Sequence, residues 1–321
     1  MKKRERQRLK VIRRFDSGGG IIRIRFVSED SAGLVPFEAG AHLSIYLPDI
    51  EAWRQYSICS DPCELDFYEI AVLKDPKSRG GSVLVHATAV EGAVFDVEGP
   101  NNNFPLDESA ECSMLFGGGI GITPMIAMAA RLKELGKKFK LHYFSRSEEN
   151  AAFVDDLRGA YEPENIFFHF GGREAAQKLD LFRDLPAPTT TTHCYICGPQ
   201  GFIDWIITAV KQAGYPNGNI HREYFSADVT YSGNSFDVEC ANSGVTVTIG
   251  PDDTIARVLA KVGIKVDVMC EEGVCGTCMT NVIEGEIDHR DQFLTDEERR
   301  EGALICVCCS RANSPKLVLD I

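Results

Sequence analysis

The sequence contains no apolar run near the roughly 20 residues that a membrane-spanning helix needs, so we expect no membrane segment. Its basic opening, MKKRERQRLKVIRRF, is followed by no apolar stretch of the kind found in secretory signals. Internal repeats and low-complexity tracts are also lacking. With 44% hydrophobic and 25% charged residues, the composition indicates packed globular domains. We therefore expect a cytoplasmic protein, and a monomeric one.

Positive charge is scarce in this chain. It has 34 Lys and Arg residues against 47 Asp and Glu residues, which gives a formal net charge of −13. From Phe236 to the end there are 16 acids and 8 bases, so this last quarter alone carries −8. That balance disfavours a nucleic-acid partner. It suits electrostatic steering toward a basic protein surface.

Cysteine is abundant, with twelve in the chain. Without an export signal, so many thiols argue against a disulfide framework and favour metal binding or redox chemistry. Six of the twelve fall after residue 269. We therefore expect the chemistry of these thiols to concentrate near the end of the chain.

The pattern of apolar residues divides the 321 residues into three parts. Residues 1–106 contain short β-rich runs punctuated by Gly, Pro and Asp, which predict a small antiparallel β-barrel. Residues 107–226 alternate strands with helices, which predicts an α/β domain with a parallel sheet. Residues 227–235 are polar and predict a linker. Residues 236–321 mix a hairpin, two short helices and further strands, so we predict a smaller α+β domain.

The cysteine loop CEEGVCGTC has the spacing C-x4-C-x2-C, formed by Cys270, Cys275 and Cys278. Plant-type [2Fe–2S] sites use this spacing together with one distant cysteine. Zinc sites normally present two separated pairs, and a thioredoxin-like pair would leave one thiol surplus. Gly273 and Gly276 permit positive φ, and loop amides can point at the sulfurs. The candidates for the fourth ligand are Cys306, Cys308 and Cys309, and strand alternation disfavours only Cys309.

Two motifs within residues 1–106 indicate a site that binds an anion and a flat ring. The strand RQYSICS carries Arg54, whose planar fork can hold a phosphate, with Tyr56 on the same face and Ser57 beside it. In SRGGS, Gly80 and Gly81 precede a predicted helix, and free amides at a helix start bind phosphate.

Two glycine-rich turns follow predicted strands of the second part, GGGIGITP at 117–124 and CGPQG at 197–201. The first turn does not fit the dinucleotide fingerprint G-x-G-x-x-G cleanly. Both imply close approach of backbone to a ligand at the carboxyl edge of a parallel sheet. We expect the two turns to form one cleft, with Cys197 beneath a nicotinamide.

With these motifs in this order, the chain resembles the phthalate dioxygenase reductase family, whose wider group includes vanillate demethylase and carnitine monooxygenase reductases. The resemblance covers nearly the whole chain and implies an FMN-binding barrel, a nicotinamide-binding domain and a β-grasp-like plant-type ferredoxin domain. It implies FMN contacts from Arg54, Tyr56, Ser57, Ala71, Val72, Arg79, Gly80, Gly81, Ser82, Thr123 and Phe225. It implies NAD contacts from Gly118, Gly119, Gly121, Thr123, Pro124, Ser145, Arg146, Cys197, Gly198 and Pro199. It implies cluster ligation by Cys270, Cys275, Cys278 and Cys308.

The function that this resemblance implies is electron transfer from NADH through FMN and a [2Fe–2S] cluster to a Rieske-type oxygenase. A reductase for a diiron monooxygenase or a cytochrome P450 is an alternative, and so is an iron–sulfur redox sensor without turnover. Two departures from the family pattern stand out. Leu73 occupies a position where a basic residue is usual. The stretch FGGREA lacks the acidic residue that, at the adenosine ribose, can favour NADH over NADPH, and its Arg173 could accept a 2′-phosphate.

Overall fold

The structure, a computed structural model, describes residues 6–76, 78–171, 185–227 and 229–321. Its contacts divide the chain into two compact units, Met1–Glu223 and Tyr224–Ile321. The first unit holds an antiparallel and a parallel sheet, and the second holds a smaller mixed sheet. The expected multidomain class is therefore confirmed. Throughout the described ranges, no helix is both long and apolar enough to cross a bilayer.

The antiparallel sheet of the first unit has six strands and one helix. They are β1 (Arg6–Asp16), β2 (Ile21–Ser28), β3 (Ala41–Leu47), β4 (Ala52–Ser57), β5 (Tyr68–Leu73), α1 (Gly81–Thr88) and β6 (Val94–Asn102). The strand order β4-β3-β6-β1-β2-β5 leaves β4 and β5 at the edges. These edges meet through a bridge between Ile58 and Ile70 and a hydrogen bond from the Cys59 amide to the Glu69 carbonyl. The sheet thus curls into a partly closed barrel.

The parallel sheet follows in the same unit. Its elements are β7 (Cys112–Gly118), α2 (Ile122–Glu134), β8 (Lys138–Ser145), α3 (Val154–Ala160), β9 (Ile166–Phe170), β10 (Thr192–Cys197), α4 (Gln200–Gln212) and β11 (Ile220–Glu223). The order is β11-β10-β7-β8-β9, and all neighbours run parallel. The direction of winding therefore reverses between β7 and β10. Open parallel sheets bind ligands outside the carboxyl ends of their strands at such a reversal.

Helix α2 illustrates how the sequence specifies this layer. Ile122, Met125, Ala129 and Leu132 recur at intervals of three or four residues, and all four are buried. This spacing places them on one face of the helix. They belong to the same core as Leu115 of β7. Packing against β7 therefore holds α2 in place immediately after the glycine-rich turn.

The second unit is built from short strands and two short helices. They are β12 (Phe236–Cys240), β13 (Val245–Ile249), α5 (Ile255–Lys261), β14 (Met279–Glu284), β15 (Ile287–Asp288), α6 (Asp296–Glu301), β16 (Leu304–Cys306), β17 (Arg311–Ala312) and β18 (Lys316–Leu319). The main sheet has the order β13-β12-β18-β14-β16, and β15 pairs with β17. Thr295 and Glu298 form a capping box at the start of α6, which satisfies amides that the helix leaves unpaired.

Two arginines hold the segment before β12 against the second unit. Arg311, 2% exposed, donates to the carbonyls of Tyr231 and Asn234 at 2.9 and 3.0 Å. Arg290 donates to the Ser232 carbonyl at 2.9 Å. Much of the predicted linker 227–235 is thus hydrogen-bonded to the body that follows it. The boundaries of the predicted domains, 1–106, 107–226 and 236–321, stay predictions.

Candidate functional site

The first part of the site is formed by Arg54 and the start of helix α1. A Cβ placed on Gly81 would lie 2.7 Å from Cγ and from Nε of Arg54, so the arginine side chain runs directly along this glycine. Gly80 has a φ of 84° and precedes the helix without a side-chain cap. The structure therefore brings the predicted arginine and the predicted Gly-Gly helix start together. A guanidinium beside helix amides can hold a phosphate.

Ser82 shapes the loop before this helix. Its Oγ lies 3.1 Å from the Asp75 amide nitrogen and 3.0 Å from the Ser78 hydroxyl. The hydroxyl thus closes the turn that contains Arg79. The contacts of Arg79 and Ser82 with a phosphate stay predictions, but the geometry fixes Ser82 as the residue that holds the turn in shape.

The strands expected to face a flavin ring lie at the two edges of the barrel. Tyr56 is in β4, and burial raises the pKa of its hydroxyl well above the usual range. Ser57 ends the same strand and is buried. Ala71 and Val72 are buried in β5, and His86 Nε2 of α1 lies 2.9 Å from the Val72 carbonyl oxygen. These two strands thus offer one aromatic ring and the backbone of buried residues for a flat ligand.

The two glycine-rich turns meet at the point where the parallel sheet reverses. Gly117 and Cys197 are paired across β7 and β10. A Cβ on Gly121 would lie 2.4 Å from the Cys197 carbonyl oxygen, and one on Gly198 would lie 3.0 Å from Cα of Gly118. No side chain fits in such gaps, so the glycines are required by the approach of backbone to backbone. The structure thus brings the two turns together, and the cleft that they are predicted to form stays a prediction.

Helices α2 and α4 begin directly after these glycine-rich turns. Thr123 is 2% exposed, and its Oγ1 donates to the Ile120 carbonyl at 3.0 Å, which stabilises the turn after Gly119. Pro124 follows within α2, and Pro199 immediately precedes α4. Both prolines therefore stand where a helix start tolerates a missing amide hydrogen.

The remaining predicted nucleotide contacts lie one strand further out. Ser145 ends β8, and the Arg146 carbonyl accepts a hydrogen bond from the Gly171 amide at 3.1 Å. Arg173 falls outside the described residues. Phe225 belongs to the second unit and is 37% exposed, so its contact with a flavin stays a prediction.

Glu223 is the residue that sequence reasoning missed. It ends β11, pairs with Cys197 across the sheet and shares a side-chain hydrogen bond with Ser57. Its Oε2 is buried and has no hydrogen-bond partner among the described residues. Burial, only partly offset by the Ser57 hydrogen bond, raises the pKa of Glu223 to about 8. An acid that ends a strand and opens the EYFSA segment was the available signal.

Cys197 is consequently a neutral thiol. Burial first, and then the facing Glu223 carboxyl, raise the pKa of Cys197 far above the ordinary thiol range. Ser57, Cys197 and Glu223 thus bring one barrel strand and two parallel strands to one point. This junction joins the predicted flavin strand to the predicted nicotinamide turn.

The cysteine loop of the second unit has the backbone that its spacing predicts. Glu271, Gly273 and Gly276 have φ values of 55°, 69° and 68°, so the loop turns repeatedly through the left-handed region. The Glu272 amide donates to Cys270 Sγ at 3.4 Å, which confirms the expected amide-to-sulfur contact. A Cβ on Gly276 would lie 2.3 Å from the Phe293 ring.

The sulfurs of the predicted ligands gather in contacting pairs. The thiols of Cys270 and Cys275 lie close enough to interact, and so do those of Cys278 and Cys308. Cys308 also contacts Cys270, which links the two pairs. Four buried cysteines that interact in this way would supply the four thiolate ligands that a [2Fe–2S] cluster needs.

One argument about the fourth ligand was wrong. Strand alternation placed Cys309 on the opposite face from Cys306 and Cys308, but β16 ends at Cys306 and a turn follows. A Cβ on Gly273 would lie 2.6 Å from Cys309 Sγ, so Cys309 reaches the cluster loop as well. Cys308 nevertheless is the thiol in contact with both Cys270 and Cys278.

Comparison with known proteins identifies the cluster-binding part of the chain and a relative that matches nearly all of it. Residues 238–313 match the family of 2Fe-2S iron-sulfur cluster binding domains. The chain is 44% identical over 303 residues to a vanillate O-demethylase oxidoreductase of Pseudomonas sp. (strain HR199 / DSM 7063), covering 94% of this chain and 95% of that protein.

Two solved structures resemble the whole chain. A phthalate dioxygenase reductase, described as modular for electron transfer from pyridine nucleotides to [2Fe-2S], matches with a TM-score of 0.76 and 36% identity, covering 98% of both chains. An intact type IV self-sufficient cytochrome P450 monooxygenase matches with a TM-score of 0.84 and 34% identity over 98% of this chain. This chain spans only 41% of that longer protein. With its cluster-binding domain and two-sheet unit, the chain belongs to the phthalate dioxygenase reductase family, oxidoreductases of oxygenase systems.

Proposed function

We propose that this chain is the NADH-dependent reductase component of a Rieske-type oxygenase system. It would oxidise NADH and deliver single electrons to the oxygenase. The supporting observation is the junction of Ser57, Cys197 and Glu223, because it joins the flavin strand of the barrel to the nicotinamide turn of the parallel sheet. Bound FMN would supply hydride acceptance and a bound [2Fe–2S] cluster one-electron storage, while the protein supplies placement and polarity.

Arg54 and the start of α1 bind the flavin phosphate in this proposal. The guanidinium lies along Gly81 and can meet two phosphate oxygens with its planar fork. The helix start adds unpaired amides to the same point. FMN ends in a single phosphate, which these groups would hold, with Tyr56 and Ser57 further along β4 at the ring.

The two glycine-rich turns admit the nicotinamide nucleotide. Gly121 lets the two turns approach backbone to backbone, and the Phe202 ring packs against Gly118 and Gly198. Cys197 offers a small neutral thiol at the end of β10 rather than a charged one, so it fits beneath an uncharged or a cationic ring without a counterion.

Glu223 holds a proton near neutral pH, because its pKa of about 8 lies above 7. The protonated carboxyl keeps the junction uncharged and fixes the Ser57 hydroxyl at the edge where hydride arrives. Both effects favour a dry, oriented site, which hydride transfer requires.

The test is NADH-driven electron transfer by the purified holoprotein. We expect reduction of both ferricyanide and cytochrome c with NADH, a higher kcat/KM for NADH than for NADPH, and release of FMN on heating. Inactivity with both nucleotides would exclude the reductase assignment, and recovery of FAD would exclude the proposed flavin. The Rieske partner is tested by coupled turnover with a purified Rieske oxygenase.

A cytochrome P450 is the second candidate partner. The observation that favours it is the similarity of this entire chain to part of a self-sufficient P450 monooxygenase. The flavin, nucleotide and cluster sites would be the same, and only the docking surface would differ. Coupled turnover with a P450 but not with any Rieske oxygenase would select this candidate.

A further inference from the structure

The barrel and the parallel sheet of the first unit share a contact that the proposed function does not use. Gly18 and Gly19 belong to the turn between β1 and β2, and their φ values are 76° and 59°. A Cβ on Gly18 would lie 2.9 Å from the Glu149 carbonyl oxygen, and one on Gly19 would lie 2.9 Å from Cα of Asn150. This turn of the barrel thus lies backbone to backbone against the segment that precedes α3.

Arg23 of β2 contacts both layers. Its side chain is 16% exposed. Its Nε donates to Glu69 Oε1 at 2.7 Å within the barrel, and its Nη1 donates to Asp156 Oδ2 of α3 at 2.5 Å. Its guanidinium carbon lies 4.2 Å from the centroid of the Phe153 ring, within the range of a cation–π contact. One side chain therefore binds a carboxylate of the barrel, and a carboxylate and an aromatic ring of the other layer.

Phe153 gives this contact a fixed position. It immediately precedes α3, is buried and has a φ of 66°, in the left-handed region that bulky residues rarely adopt. It belongs to one core with Leu115 of β7, Ile122 of α2 and Ala71 of the barrel. Such a conformation persists only where the surrounding packing determines it. The ring against Arg23 is therefore held by the same core that carries the first glycine-rich turn.

The barrel side of the contact leads to the strand that is predicted to face the flavin. Arg23 is paired with Ala71 across β2 and β5. Glu69, the buried carboxylate that Arg23 binds, lies two residues before Ala71 in the same strand. Arg23 thus joins β5 to the start of α3 through its backbone pairing on one side and its guanidinium on the other.

Arg25 provides a comparison within the same strand. Its Nε donates to Glu69 Oε2, and its guanidinium carbon lies 5.1 and 4.2 Å from the ring centroids of Phe15 and Phe67. All three partners lie within the barrel. Arg23 and Arg25 therefore bind the same carboxylate and pack on aromatic rings, but in the part of the chain that the structure describes only Arg23 of the two also contacts the parallel-sheet layer.

We propose that Arg23 is a positioning residue that sets the distance between β5, at the predicted flavin site, and the first glycine-rich turn, and thereby the rate of hydride transfer. This inference rests on the proposed function. Hydride transfer needs a short, aligned approach, and a misplacement near 1 Å can cost about 100-fold in rate. Arg23 acts through Ala71 and Phe153 and touches neither NADH nor flavin, so its loss should slow the transfer without weakening nucleotide binding.

The experiment is rapid mixing of the holoprotein with NADH in wild type, Arg23→Gln, Arg23→Lys and the matched control Arg25→Gln. We expect Arg23→Gln to lower the limiting rate of flavin reduction about tenfold or more, while the Kd for NADH changes less than about threefold. Arg23→Lys should recover part of the rate, because an ammonium group still binds a carboxylate and packs on a ring. Arg25→Gln should keep both values near wild type.

A pair of glycine variants tests the spacing without removing a charge. Gly19→Ala places a Cβ against the Asn150 backbone, whereas Gly20→Ala, at a φ of 75°, meets nothing within 4 Å. Both variants carry the strain of a left-handed alanine, but only Gly19→Ala should push the barrel away from the parallel sheet. We expect the limiting rate of Gly19→Ala to lie about tenfold or more below that of Gly20→Ala.

Hydrogen exchange of the holoprotein gives a readout that does not depend on turnover. The amides of residues 151–157 should exchange faster in Arg23→Gln than in wild type or Arg25→Gln, because the start of α3 loses a contact. Equal rates or equal exchange in the two arginine variants, equal rates in the two glycine variants, or an effect confined to the Kd for NADH would overturn the inference alone. A wild type whose flavin is not reduced by NADH would overturn the proposed function as well.

Discussion

The two units hold their candidate cofactors by opposite means. The cluster site of the second unit takes three of its four proposed ligands from nine consecutive residues, Cys270 to Cys278. The flavin and nucleotide site of the first unit is assembled from β4, β5, β7, β10 and β11, so its residues are spread from Arg54 to Glu223. One site is specified by chemistry within a loop, and the other by the meeting of strand ends.

The two sites also differ in what makes cofactor binding favourable. Thiolates bind iron strongly and specifically, so the cluster site depends on which side chains are present. The first site depends instead on spaces, because Gly81, Gly118 and Gly121 contribute room and amides rather than side chains. Substitutions should therefore abolish one site by removing a ligand and the other by adding an atom.

The largest effect should come from removing a ligand. Cys308→Ser should eliminate the visible absorption and electron paramagnetic resonance of the cluster, since the remaining thiolates cannot complete both irons. The first unit should keep its flavin and still reduce ferricyanide with NADH, whereas cytochrome c reduction should be lost. Stopped-flow spectroscopy and the two acceptor assays measure this.

Cys240→Ser is the matched control for this variant. Cys240 is buried in the same unit but is not among the proposed ligands, so both acceptor assays should stay near wild type. Loss of ferricyanide reduction in Cys308→Ser would show that the two units do not act separately. It would contradict the contrast drawn between the cluster site and the flavin and nucleotide site.

The next effect should come from adding one methyl group to the first site. Gly121→Ala places a Cβ 2.4 Å from the Cys197 carbonyl oxygen and 2.5 Å from its carbon, so one glycine-rich turn must move. A displacement near 1 Å at a reacting centre costs about 100-fold, and we expect kcat/KM for NADH with ferricyanide to fall by at least that factor. Gly159→Ala in α3, with open space around it, should change nothing. Equal activity of both variants would contradict the close approach.

The contrast between the two sites also accounts for which features could be predicted from the sequence. The alternation of strands and helices and the spacing C-x4-C-x2-C are local patterns, so the sheets and Cys270, Cys275 and Cys278 followed directly. Arg54 and the Gly80-Gly81 turn could be identified separately, but only the structure shows that the arginine side chain lies along Gly81.

Residues whose role comes from distant neighbours were harder to interpret. Glu223 is an ordinary acid in the sequence, and only the pairing of β10 with β11 sets it between Cys197 and Ser57. The prediction that Cys309 points away from the other thiols is wrong, because β16 ends at Cys306 and a turn follows. Strand alternation holds only as far as the strand does.

A smaller effect should follow loss of the phosphate contact. Arg54→Ala removes a charge-assisted hydrogen-bonding group, and such bonds contribute about 1.5–3 kcal/mol. We expect FMN affinity to fall about 10- to 100-fold, with only partial recovery in Arg54→Lys because a lysine lacks the planar fork. Fluorescence titration of released flavin measures this. Arg8→Ala, an exposed arginine of β1, is the control, and an equal loss there would rule out a specific role for Arg54.

The smallest effect concerns the buried carboxyl of Glu223, and its sign can be worked out. The unfolded chain loses this proton near pH 4.3, whereas the folded chain keeps it up to about pH 8. The folded state therefore binds more protons in this range, and stability falls as pH rises. From pH 6 to pH 7.5 the loss should be about 2 kcal/mol, and Glu223→Gln should lack it. Ser57→Ala should extend the fall to higher pH, because the Ser57 hydrogen bond lowers this pKa. Thermal unfolding at several pH values tests both variants, and identical slopes in wild type and Glu223→Gln would mean that Glu223 is ionised in the folded protein.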